Sequence, residues 1–485
     1  MEILANYING EFVPPKSGNY MDVYEPATGQ IYAKTPDSNS ADIDDAVQSA
    51  TVAFKTWSNI SRNERSNILH EIANGIESRL DEFAEYESRD TGKPLELAKS
   101  VDIPRSITNF RFFADYALEF ETESILDGNG SMNKVVRKPL GVVGCISPWN
   151  LPLYLFSWKI APALATGNCV VGKPSELTPY TAFKLGEICT EAGLPKGVLN
   201  ILLGSGQNTG SAIISHPEIK AISFTGGTKT GETISRTSAP QFKKLSLELG
   251  GKNPNIIFAD CNFDTMLATT IKSSFSNQGE ICLCGSRILV ENSIYERFRD
   301  AFIEKTNSLI VGDPNDKNTD LGALISKVHL EKVAGYIELA QEEGGSILTD
   351  GKRTNVNGRC ENGYFMEPTI IDGLKADCRT NQEEIFGPVV TLIPFSTEAE
   401  AVVIANSTDY GLAATIWSGN PDKANRVADQ IDAGIVWINC WMVRDLRTPF
   451  GGMKSSGVGR EGGDEALRFF TEPKNICMRE YEASI

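Results

Sequence analysis

Short apolar runs alternate with helical segments from residue 135 onward, and this alternation restricts the fold more than any other feature. The clearest runs cover residues 142–146, 169–171, 199–203, 221–224 and 256–258. Strands separated by helices pair in parallel, because each crossover returns the chain to the same edge of the sheet. A second series of the same kind spans about 280–440. We therefore predict an α/β fold built on parallel, nucleotide-binding sheets.

The first 120 residues predict short strands followed by helices. Residues 1–35 carry turn signals between short apolar pairs. Apolar residues at helical spacing predict an amphipathic helix over 40–57. The sequence SRNE at 61–64 fits a capping box that begins a second helix towards Leu80. A third helix is expected over roughly 100–119.

Composition and charge exclude several classes of protein. The 485 residues are 41% hydrophobic and 22% charged, which is enough apolar material for a large core. The 46 basic and 63 acidic side chains give a net charge of −17, and such a chain repels the phosphates of nucleic acids and anionic membranes. No apolar run reaches the ~18 residues of a membrane span. The first residues resemble neither a signal peptide nor a transit peptide, so we expect a cytoplasmic protein.

The ten cysteines and three histidines show no metal-binding or disulfide pattern. There is no CxxC pair and the histidines are scattered, so we expect no metal site and mostly small, buried thiols. Two glycine-rich turns point instead to an anionic ligand. The segments 204–210 and 226–231 each follow an apolar run, and backbone N–H groups at the start of a helix bind phosphate. A generic strand–helix turn explains the first segment equally well.

Six further motifs occur in a fixed order along the chain. They are PWNLP at 148–152, GKPSE at 172–176, LELGGKNP at 247–254, FSNQGEIC at 275–282, EEIFGP at 383–388 and PFGG at 449–452. In this order and spacing the chain closely resembles the aldehyde dehydrogenase superfamily over essentially its whole length. The resemblance implies oxidation of an aldehyde to an acid through a cysteine thioester, with NAD as cofactor.

The resemblance assigns three catalytic residues. Cys282 matches the nucleophile, whose sulfur adds to the aldehyde and later leaves. Asn150, together with the backbone N–H of Cys282, matches the oxyanion donor. Glu248 matches the base that activates water against the thioester. The alternatives are a buried structural thiol, a turn asparagine and a solvated strand-end glutamate. We expect Cys284 to share a strand face with Cys282 as a packing or redox neighbour.

The cofactor residues are assigned in the same way. Lys173 and Glu176 match the surroundings of the adenosine ribose, where a carboxylate accepts hydroxyl hydrogen bonds and repels a 2′-phosphate, so NAD is favoured over NADP. Glu384 matches a contact of a cofactor ribose, and Phe386 matches its packing partner. Gly227 departs from the family, which usually has Ser there. The remaining assigned positions are Ile146, Pro148, Trp149, Ser175, Gly206, Gly210, Phe224, Gly226, Thr230 and Leu249.

Two arginines suggest a substrate with a carboxylate. Arg105 and Arg444 lie in stretches that border the substrate tunnel in the family, and a guanidinium pairs a carboxylate bidentately. We expect Tyr154 and Trp158 to line the same tunnel, unless they are plain core aromatics. Arg444 could instead pair Asp445 on the surface. These stretches look most like the branch that oxidises 2-aminomuconate and 2-hydroxymuconate semialdehydes; a broad retinal- or betaine-type enzyme and a non-catalytic structural relative remain as alternatives.

The architecture implied by the resemblance has three units. They are a Rossmann-type NAD-binding domain (1–122, 141–249 and 446–463), a catalytic α/β domain (250–445) and a β oligomerisation arm (123–140 and 464–485). The arm carries Ile476 and Met478 between polar neighbours, as an edge strand seeking a partner chain does. The resemblance therefore implies a homodimer or homotetramer.

Overall fold

The computed structural model describes residues 1–120 and 131–479, and the backbone of residues 124–126. The predicted α/β class is confirmed, since two large, mostly parallel sheets hold the core. The α-helices are Ser40–Trp57, Arg62–Ser78, Leu80–Thr91, Leu95–Leu97, Ile103–Glu119, Pro152–Ala165, Tyr180–Glu191, Ser211–Ser215, Thr228–Ser238, Phe263–Phe275, Tyr295–Asn307, Lys327–Glu342, Arg379–Gln382, Glu398–Asn406, Pro421–Ala428 and Gly463–Phe469. A π-helical turn, Ala98–Asp102, leads into the helix Ile103–Glu119, and a second one, Gly206–Gly210, leads into the helix Ser211–Ser215.

An eight-stranded sheet forms the first half of the core. In spatial order its strands are Gly457–Val458, Lys244–Glu248, Ile219–Thr225, Val142–Ile146, Cys169–Lys173, Leu199–Ile201, Asn6–Ile8 and Glu11–Val13. The five strands from Lys244–Glu248 to Leu199–Ile201 are parallel, as the alternation of apolar runs and helices predicted. Their carboxyl ends therefore meet at one edge of the sheet, and that edge positions the site.

A seven-stranded sheet forms the second half. Its strands in spatial order are Ser346–Ile347, Thr369–Asp372, Val389–Phe395, Gly285–Glu291, Asn253–Ile257, Ala413–Trp417 and Ile435–Ile438. Its central strands are parallel and almost fully buried, so they read as continuous apolar runs rather than as alternating ones. The chain passes from the first sheet to the second between Glu248 and Asn253.

Three smaller sheets complete the fold. Strands Glu2–Ile3, Gln30–Pro36 and Tyr20–Glu25 form one, and Tyr410–Gly411 pairs with Met453–Lys454 in another. In the third, Thr471–Arg479 pairs antiparallel with Ser131–Pro139, which also pairs with Ser124–Leu126. We name this third sheet the arm sheet.

The predicted helices of the amino-terminal part are confirmed with small shifts. The helix over 40–57 has the predicted bounds, and Ser61 and Glu64 form a reciprocal capping box. The helix that begins there ends at Ser78, because Leu80 starts a new helix. The helix predicted over 100–119 begins at Ile103, after the π-helical turn. Within the described part of the chain, no helix is long and apolar enough to cross a membrane.

Candidate active site

A cavity of ≈ 230 Å³ lies at the carboxyl edge of the eight-stranded sheet. Strands Val142–Ile146, Ile219–Thr225 and Lys244–Glu248 end there, and the turns after them form one wall. Ligands of open α/β sheets bind at this edge, because strand ends and helix starts leave free backbone groups there. The lining residues are Pro148, Trp149, Asn150, Thr225, Gly226, Gly227, Leu249, Gly250, Cys282, His329, Lys332, Glu384 and Phe386.

A left-handed turn presents Cys282 to this cavity. Asn277, Gln278 and Gly279 have φ values of +53°, +56° and +71°. Such values are strained for residues with a side chain and tend to occur at functional sites. A Cβ on Gly279 would lie 2.2 Å from the carbonyl oxygen of Gly387, so this position requires glycine. The Gln278 amide bonds the backbone of the neighbouring 322–323 segment and holds the turn in place.

The placement of Cys284 differs from the sequence prediction. The strand begins at Gly285, so Cys282 and Cys284 both lie in the turn before it and do not share a strand face. Cys284 is buried among Ile281, Leu283 and Leu412, which is the packing role that we considered for it. A shared face would require both cysteines to lie in a strand, and the structure does not meet that condition.

Hydrogen bonds hold both the side-chain amide and the main-chain carbonyl of Asn150. Its side-chain Nδ2 donates to the carbonyl oxygen of Glu280 at 2.9 Å. Its main-chain oxygen accepts from Lys93 Nζ at 3.0 Å and from Asn277 Nδ2 at 3.2 Å. An amide nitrogen carries two N–H groups, so the second remains for a ligand in the cavity that Asn150 and Cys282 both line. This geometry suits an oxyanion donor.

Burial dominates the electrostatics of the two candidate proton-transfer groups. Burial raises the pKa of the Cys282 thiol, and the negative charges of Glu384 and Glu248 raise it further, while Arg444 lowers it. Burial and the charge of Glu461 likewise raise the pKa of Glu248 well above its usual range. Both acids therefore tend to keep their protons until a ligand or a neighbouring charge changes the surroundings.

The Glu248 carboxylate is available for a new partner. Neither of its oxygens has a hydrogen-bond partner among the described residues. This lack is unusual because the residue is buried, with only 4% of its surface exposed. Glu461 nearby is paired with Lys159, at 2.7 Å between Oε1 and Nζ. A buried carboxylate without a hydrogen bond is costly, so its retention favours a role as an acceptor for water or for a proton.

The turn after strand Ile219–Thr225 can hold an anion. Gly227 precedes the helix Thr228–Ser238 without a side-chain cap, and its virtual Cβ meets no atom within 4 Å. The Thr225 hydroxyl is buried without a partner among the described residues. Free backbone N–H groups, this unpartnered hydroxyl and open space together fit a pyrophosphate.

A second part of the same edge brings four other predicted residues together. Lys173 Nζ lies 3.0 Å from a carboxylate oxygen of Glu176, whose other oxygen accepts from the Gly206 N–H at 3.1 Å. Gly210 lies against the Lys173 stem. Lys173 lowers the pKa of Glu176, so the carboxylate stays ionised at neutral pH. An ionised carboxylate at this edge suits the two hydroxyls of a ribose.

Glu384 and Phe386 form the opposite wall. The Gly251 N–H donates to Glu384 at 2.9 Å, and a Cβ on Gly250 would lie 2.2 Å from the same carboxylate. Phe386 stacks edge-on against Trp149 with ring centroids 5.3 Å apart. The carboxylate and the aromatic ring thus line the cavity together with the 148–150 turn.

The two arginines singled out from the sequence lie in one polar-aromatic cluster. Arg105 lies over the Tyr154 ring at 5.4 Å, and Arg444 Nη1 donates to the Tyr154 hydroxyl at 3.0 Å. Arg444 also lies over the rings of Phe450 at 4.0 Å and Trp158 at 5.1 Å. The surface alternative for Arg444 does not hold, because Asp445 pairs with Arg447 instead.

Arg105 is the part of this cluster that lacks a partner. Its Nε and Nη2 groups are buried with no hydrogen-bond partner among the described residues. Burial and the positive charge of Arg444 lower the pKa of Arg105, while Tyr154 opposes that change. The Nε and Nη2 groups form one edge of the guanidinium, and that edge matches the two oxygens of a carboxylate.

Nine of the predicted residues line this cavity, and the structure adds others, whereas Glu248 and the cluster of Arg105, Arg444, Tyr154 and Trp158 are not among the residues that line it. Ser175 lies in the turn with Glu176, whereas Ile146 and Phe224 are buried in the core beneath the cavity and Thr230 lies in the first turn of its helix. Sequence reasoning missed four lining residues: Thr225, Gly250, His329 and Lys332. His329 Nε2 donates to the carbonyl oxygen of Phe386, and its ring packs edge-on against Trp149. Burial lowers the pKa of His329 to about 4. A single histidine in a helix carries no signal for such a position.

No group of three or more His, Cys, Asp or Glu side chains able to hold a metal occurs within the described ranges. The cavity lining itself carries a thiol, a carboxylate, an amide, an imidazole and an ammonium group.

Comparison with known proteins gives a consistent result. A sequence profile described as the aldehyde dehydrogenase family matches residues 12–476. Human 2-aminomuconic semialdehyde dehydrogenase is 51% identical over 480 residues, 98% of this chain and 98% of that protein. The 2-hydroxymuconic semialdehyde dehydrogenase of Pseudomonas sp. strain CF600 is 47% identical over 485 residues, 99% of this chain and 100% of that protein. A betaine aldehyde dehydrogenase point mutant of Staphylococcus aureus in complex with NAD+ superimposes with a TM-score of 0.95 at 38% identity, over 98% of this chain and 96% of that one.

The charge of Glu384 gives a test of the site that does not depend on any substrate. Because this carboxylate raises the pKa of the Cys282 thiol, we expect Glu384→Gln to lower it and to make Cys282 react faster with iodoacetamide at pH 7–8. The measurement is the pH dependence of alkylation of the Cys282 peptide, read by mass spectrometry. The control is Glu383→Gln, whose carboxylate pairs with Arg379 outside the cavity. An equal shift in both variants contradicts the arrangement.

Proposed function

The chain belongs to the aldehyde dehydrogenase family, and on that premise we propose that it oxidises a semialdehyde bearing a carboxylate to the corresponding acid with NAD. The substrate that we assign is 2-aminomuconate 6-semialdehyde or its 2-hydroxy analogue. Relatives at about half identity over the full chain are named for these two compounds. The observation that carries the assignment is the buried, unpartnered edge of Arg105 in the cluster with Arg444.

The chemistry begins at the sulfur of Cys282. An aldehyde carbon gives up hydride readily only when an added nucleophile supplies electron density, and a thiolate does so. The sulfur–carbon bond forms as the carbonyl oxygen becomes an oxyanion. The free N–H of Asn150 donates to that oxygen, and one such donor contributes about 2.7–4 kcal/mol in acyl-transfer enzymes. Loss of hydride then leaves a thioester on Cys282.

Glu248 completes the reaction by releasing the acid. Its unpartnered carboxylate takes a proton from a water molecule, and the resulting hydroxide adds to the thioester carbon. The carbon–sulfur bond then breaks and the thiolate of Cys282 is restored. The raised pKa of Glu248 makes it a stronger base than an exposed carboxylate once it has lost its own proton.

The residues present fit a bound NAD. The open helix start at Gly227 and the unpartnered Thr225 hydroxyl suit the pyrophosphate, Glu176 and Lys173 suit the adenosine ribose, and Glu384 suits the nicotinamide ribose. NAD supplies the acceptor for the hydride. The backbone N–H groups at Gly227 do not need the serine hydroxyl that the family usually has there. The ionised Glu176 disfavours the extra phosphate of NADP by charge repulsion.

The alternatives fit this site less well. A betaine-type substrate carries a quaternary ammonium, which two buried guanidinium groups repel, and a retinal-type substrate leaves them unpaired. A non-catalytic relative has no need for Cys282 and Asn150 in the same cavity lining.

We also propose the chain's organisation into the three units given above and its assembly as a homodimer or homotetramer. The change of sheet between Glu248 and Asn253 supports the boundary at 249/250. The exposed Ile476 and Met478 on the edge strand of the arm sheet support assembly, which light scattering measures. Residues 123, 127–130 and 480–485 of the arm lie outside the described residues. The ten free cysteines support a reducing compartment, and we propose the cytoplasm.

Replacing the sulfur of Cys282 by oxygen tests the covalent route. We expect Cys282→Ser to lower turnover at least about 10³-fold, because an alkoxide does not form at neutral pH and is a poor leaving group. NAD binding, measured by calorimetry, should change less than about twofold. Full NADH production by the serine variant contradicts the mechanism.

Glu248 should determine the pH dependence of turnover. Because its folded pKa is raised, the carboxylate gains basic form only as pH rises, so wild-type turnover should increase with pH above the ordinary glutamate range. Glu248→Gln should remove this rise and lower turnover by about 10²–10⁴. Stopped-flow measurements should still show one equivalent of NADH per site. A variant that retains the pH rise assigns the base elsewhere.

Arg105 should discriminate between aldehydes. We expect Arg105→Met to lower kcat/KM for 2-hydroxymuconate semialdehyde by at least about 10²-fold, since it removes a buried charge partner of the carboxylate. The same change should alter kcat/KM for hexanal by less than about threefold. The matched control is Arg111→Met on the same helix, where the guanidinium pairs with Glu77 at the surface. Equal losses for both aldehydes would refute a carboxylate site.

A further inference from the structure

A buried charge cluster outside the cavity lining touches the site from behind. Glu87 and Lys93 are 0% exposed and Asp102 is 1% exposed, and the Lys93 ammonium contacts the Asp102 carboxylate directly. Lys and Glu side chains are almost never buried so completely unless they are paired and perform a specific role. The mechanism above uses none of the three groups.

The cluster makes hydrogen bonds to two segments of the chain. Lys93 Nζ donates to the main-chain oxygen of Asn150 at 3.0 Å. The Glu87 carboxylate accepts from the N–H of Leu153 at 3.3 and 3.4 Å. Leu153 lies in the first turn of the helix Pro152–Ala165, which has no side-chain cap of its own, so Glu87 takes that place.

The third group links the cluster to the substrate end of the site. Asp102 is the last residue of the π-helical turn and precedes the helix Ile103–Glu119, which carries Arg105. Its contact with Lys93 therefore joins the start of the Arg105 helix to the Asn150 peptide. Tyr154, which contacts both arginines, follows directly on Leu153.

We propose that Lys93 is a positioning residue, which holds the Asn150 peptide so that the side-chain amide points at the developing oxyanion. The inference rests on the oxyanion role proposed for Asn150. Two donors, Lys93 and Asn277, fix the Asn150 carbonyl, and Asn277 also bonds the Glu280 carbonyl that receives the Asn150 amide. The ammonium is the only charged donor of the two, and hydrogen bonds from charged groups are roughly twice as strong.

Loss of this donor should misplace the amide without removing it. A displacement of about 1 Å at a catalytic group lowers a rate by about 10²-fold, because the pre-organised geometry is lost. The effect belongs to Asn150, so it should vanish when the Asn150 amide is absent. Residues that act through one another show this non-additivity, whereas independent structural damage adds.

The test is a double-mutant cycle of Lys93→Met and Asn150→Ala in the full-length enzyme. The measured quantity is the single-turnover rate of NADH formation, with hexanal and with 2-hydroxymuconate semialdehyde in parallel. We expect Lys93→Met to lower the rate about 10- to 100-fold in the wild-type background and less than twofold in the Asn150→Ala background. The dissociation constant of NAD should stay within twofold throughout.

The matched control is Lys243→Met. Lys243 is also largely buried, and its ammonium also donates to a main-chain carbonyl, that of His216, away from the cavity. We expect this variant to keep the wild-type rate in both backgrounds. An equal loss from Lys93→Met with and without the Asn150 amide overturns the inference, as does no loss in the wild-type background.

Two further results separate this inference from the function on which it rests. If Asn150→Ala alone leaves the rate unchanged, the oxyanion assignment is wrong and the inference falls with it. If Lys93→Met does not fold, as judged by its melting temperature, Lys93→Gln replaces it in the cycle, because this shorter neutral side chain keeps a polar group beside Asp102 and removes the ammonium that donates to the Asn150 carbonyl. Additive losses for Lys93→Gln and Asn150→Ala then overturn the inference.

Discussion

The hydrogen bond from the Asn150 amide to the Glu280 carbonyl is the contact on which the site depends. Asn150 follows a strand of the eight-stranded sheet, and Glu280 lies in the left-handed turn before a strand of the seven-stranded sheet. The bond therefore fixes the proposed oxyanion donor of one half of the molecule against the proposed nucleophile of the other. The strain of Asn277 and Gln278 at positive φ is retained because this turn must present Cys282 to the donor.

The low polarity around Cys282 and Glu248 determines how readily these two groups lose their protons. Burial raises the pKa of both Cys282 and Glu248, so each group tends to be neutral when the site is closed to water. A neutral thiol protects the enzyme from unproductive oxidation, since the thiolate is the reactive form. The guanidinium of Arg444 opposes this effect at both groups, and Lys159 and Arg460 also oppose it at Glu248. A cation that we propose binds the substrate thus also favours the ionised forms that the proposed chemistry needs.

The cluster of Arg105 and Arg444, where we propose that the substrate carboxylate binds, keeps polar groups unsatisfied that ordinary packing would pair. An unpartnered buried donor costs about 1–3 kcal/mol, and Arg105 leaves two such groups open among the described residues. Arg444, in contrast, is held by the Tyr154 hydroxyl and by the faces of Phe450 and Trp158. One arginine is therefore anchored and the other is free to pair, a division that suits recognition of a carboxylate at the far end of a short aldehyde.

The sequence by itself determined the α/β class, the helices with strong caps and the identities of the residues whose side chains can take part in catalysis or binding. Apolar periodicity and turn chemistry are local, so the helix at 40–57 and the capping box at Ser61 followed directly from them. Only the tertiary structure decided which groups meet. It brought His329 to the cavity, placed Cys284 in a turn and left Asp445 to Arg447 rather than Arg444. It also brought the Lys93 ammonium into hydrogen-bond contact with the main-chain oxygen of Asn150, a residue 57 positions later in the sequence. Such contacts arise from long-range packing and from the burial of charge. Neither of these produces a periodic pattern in the amino-acid sequence from which the contact could be predicted.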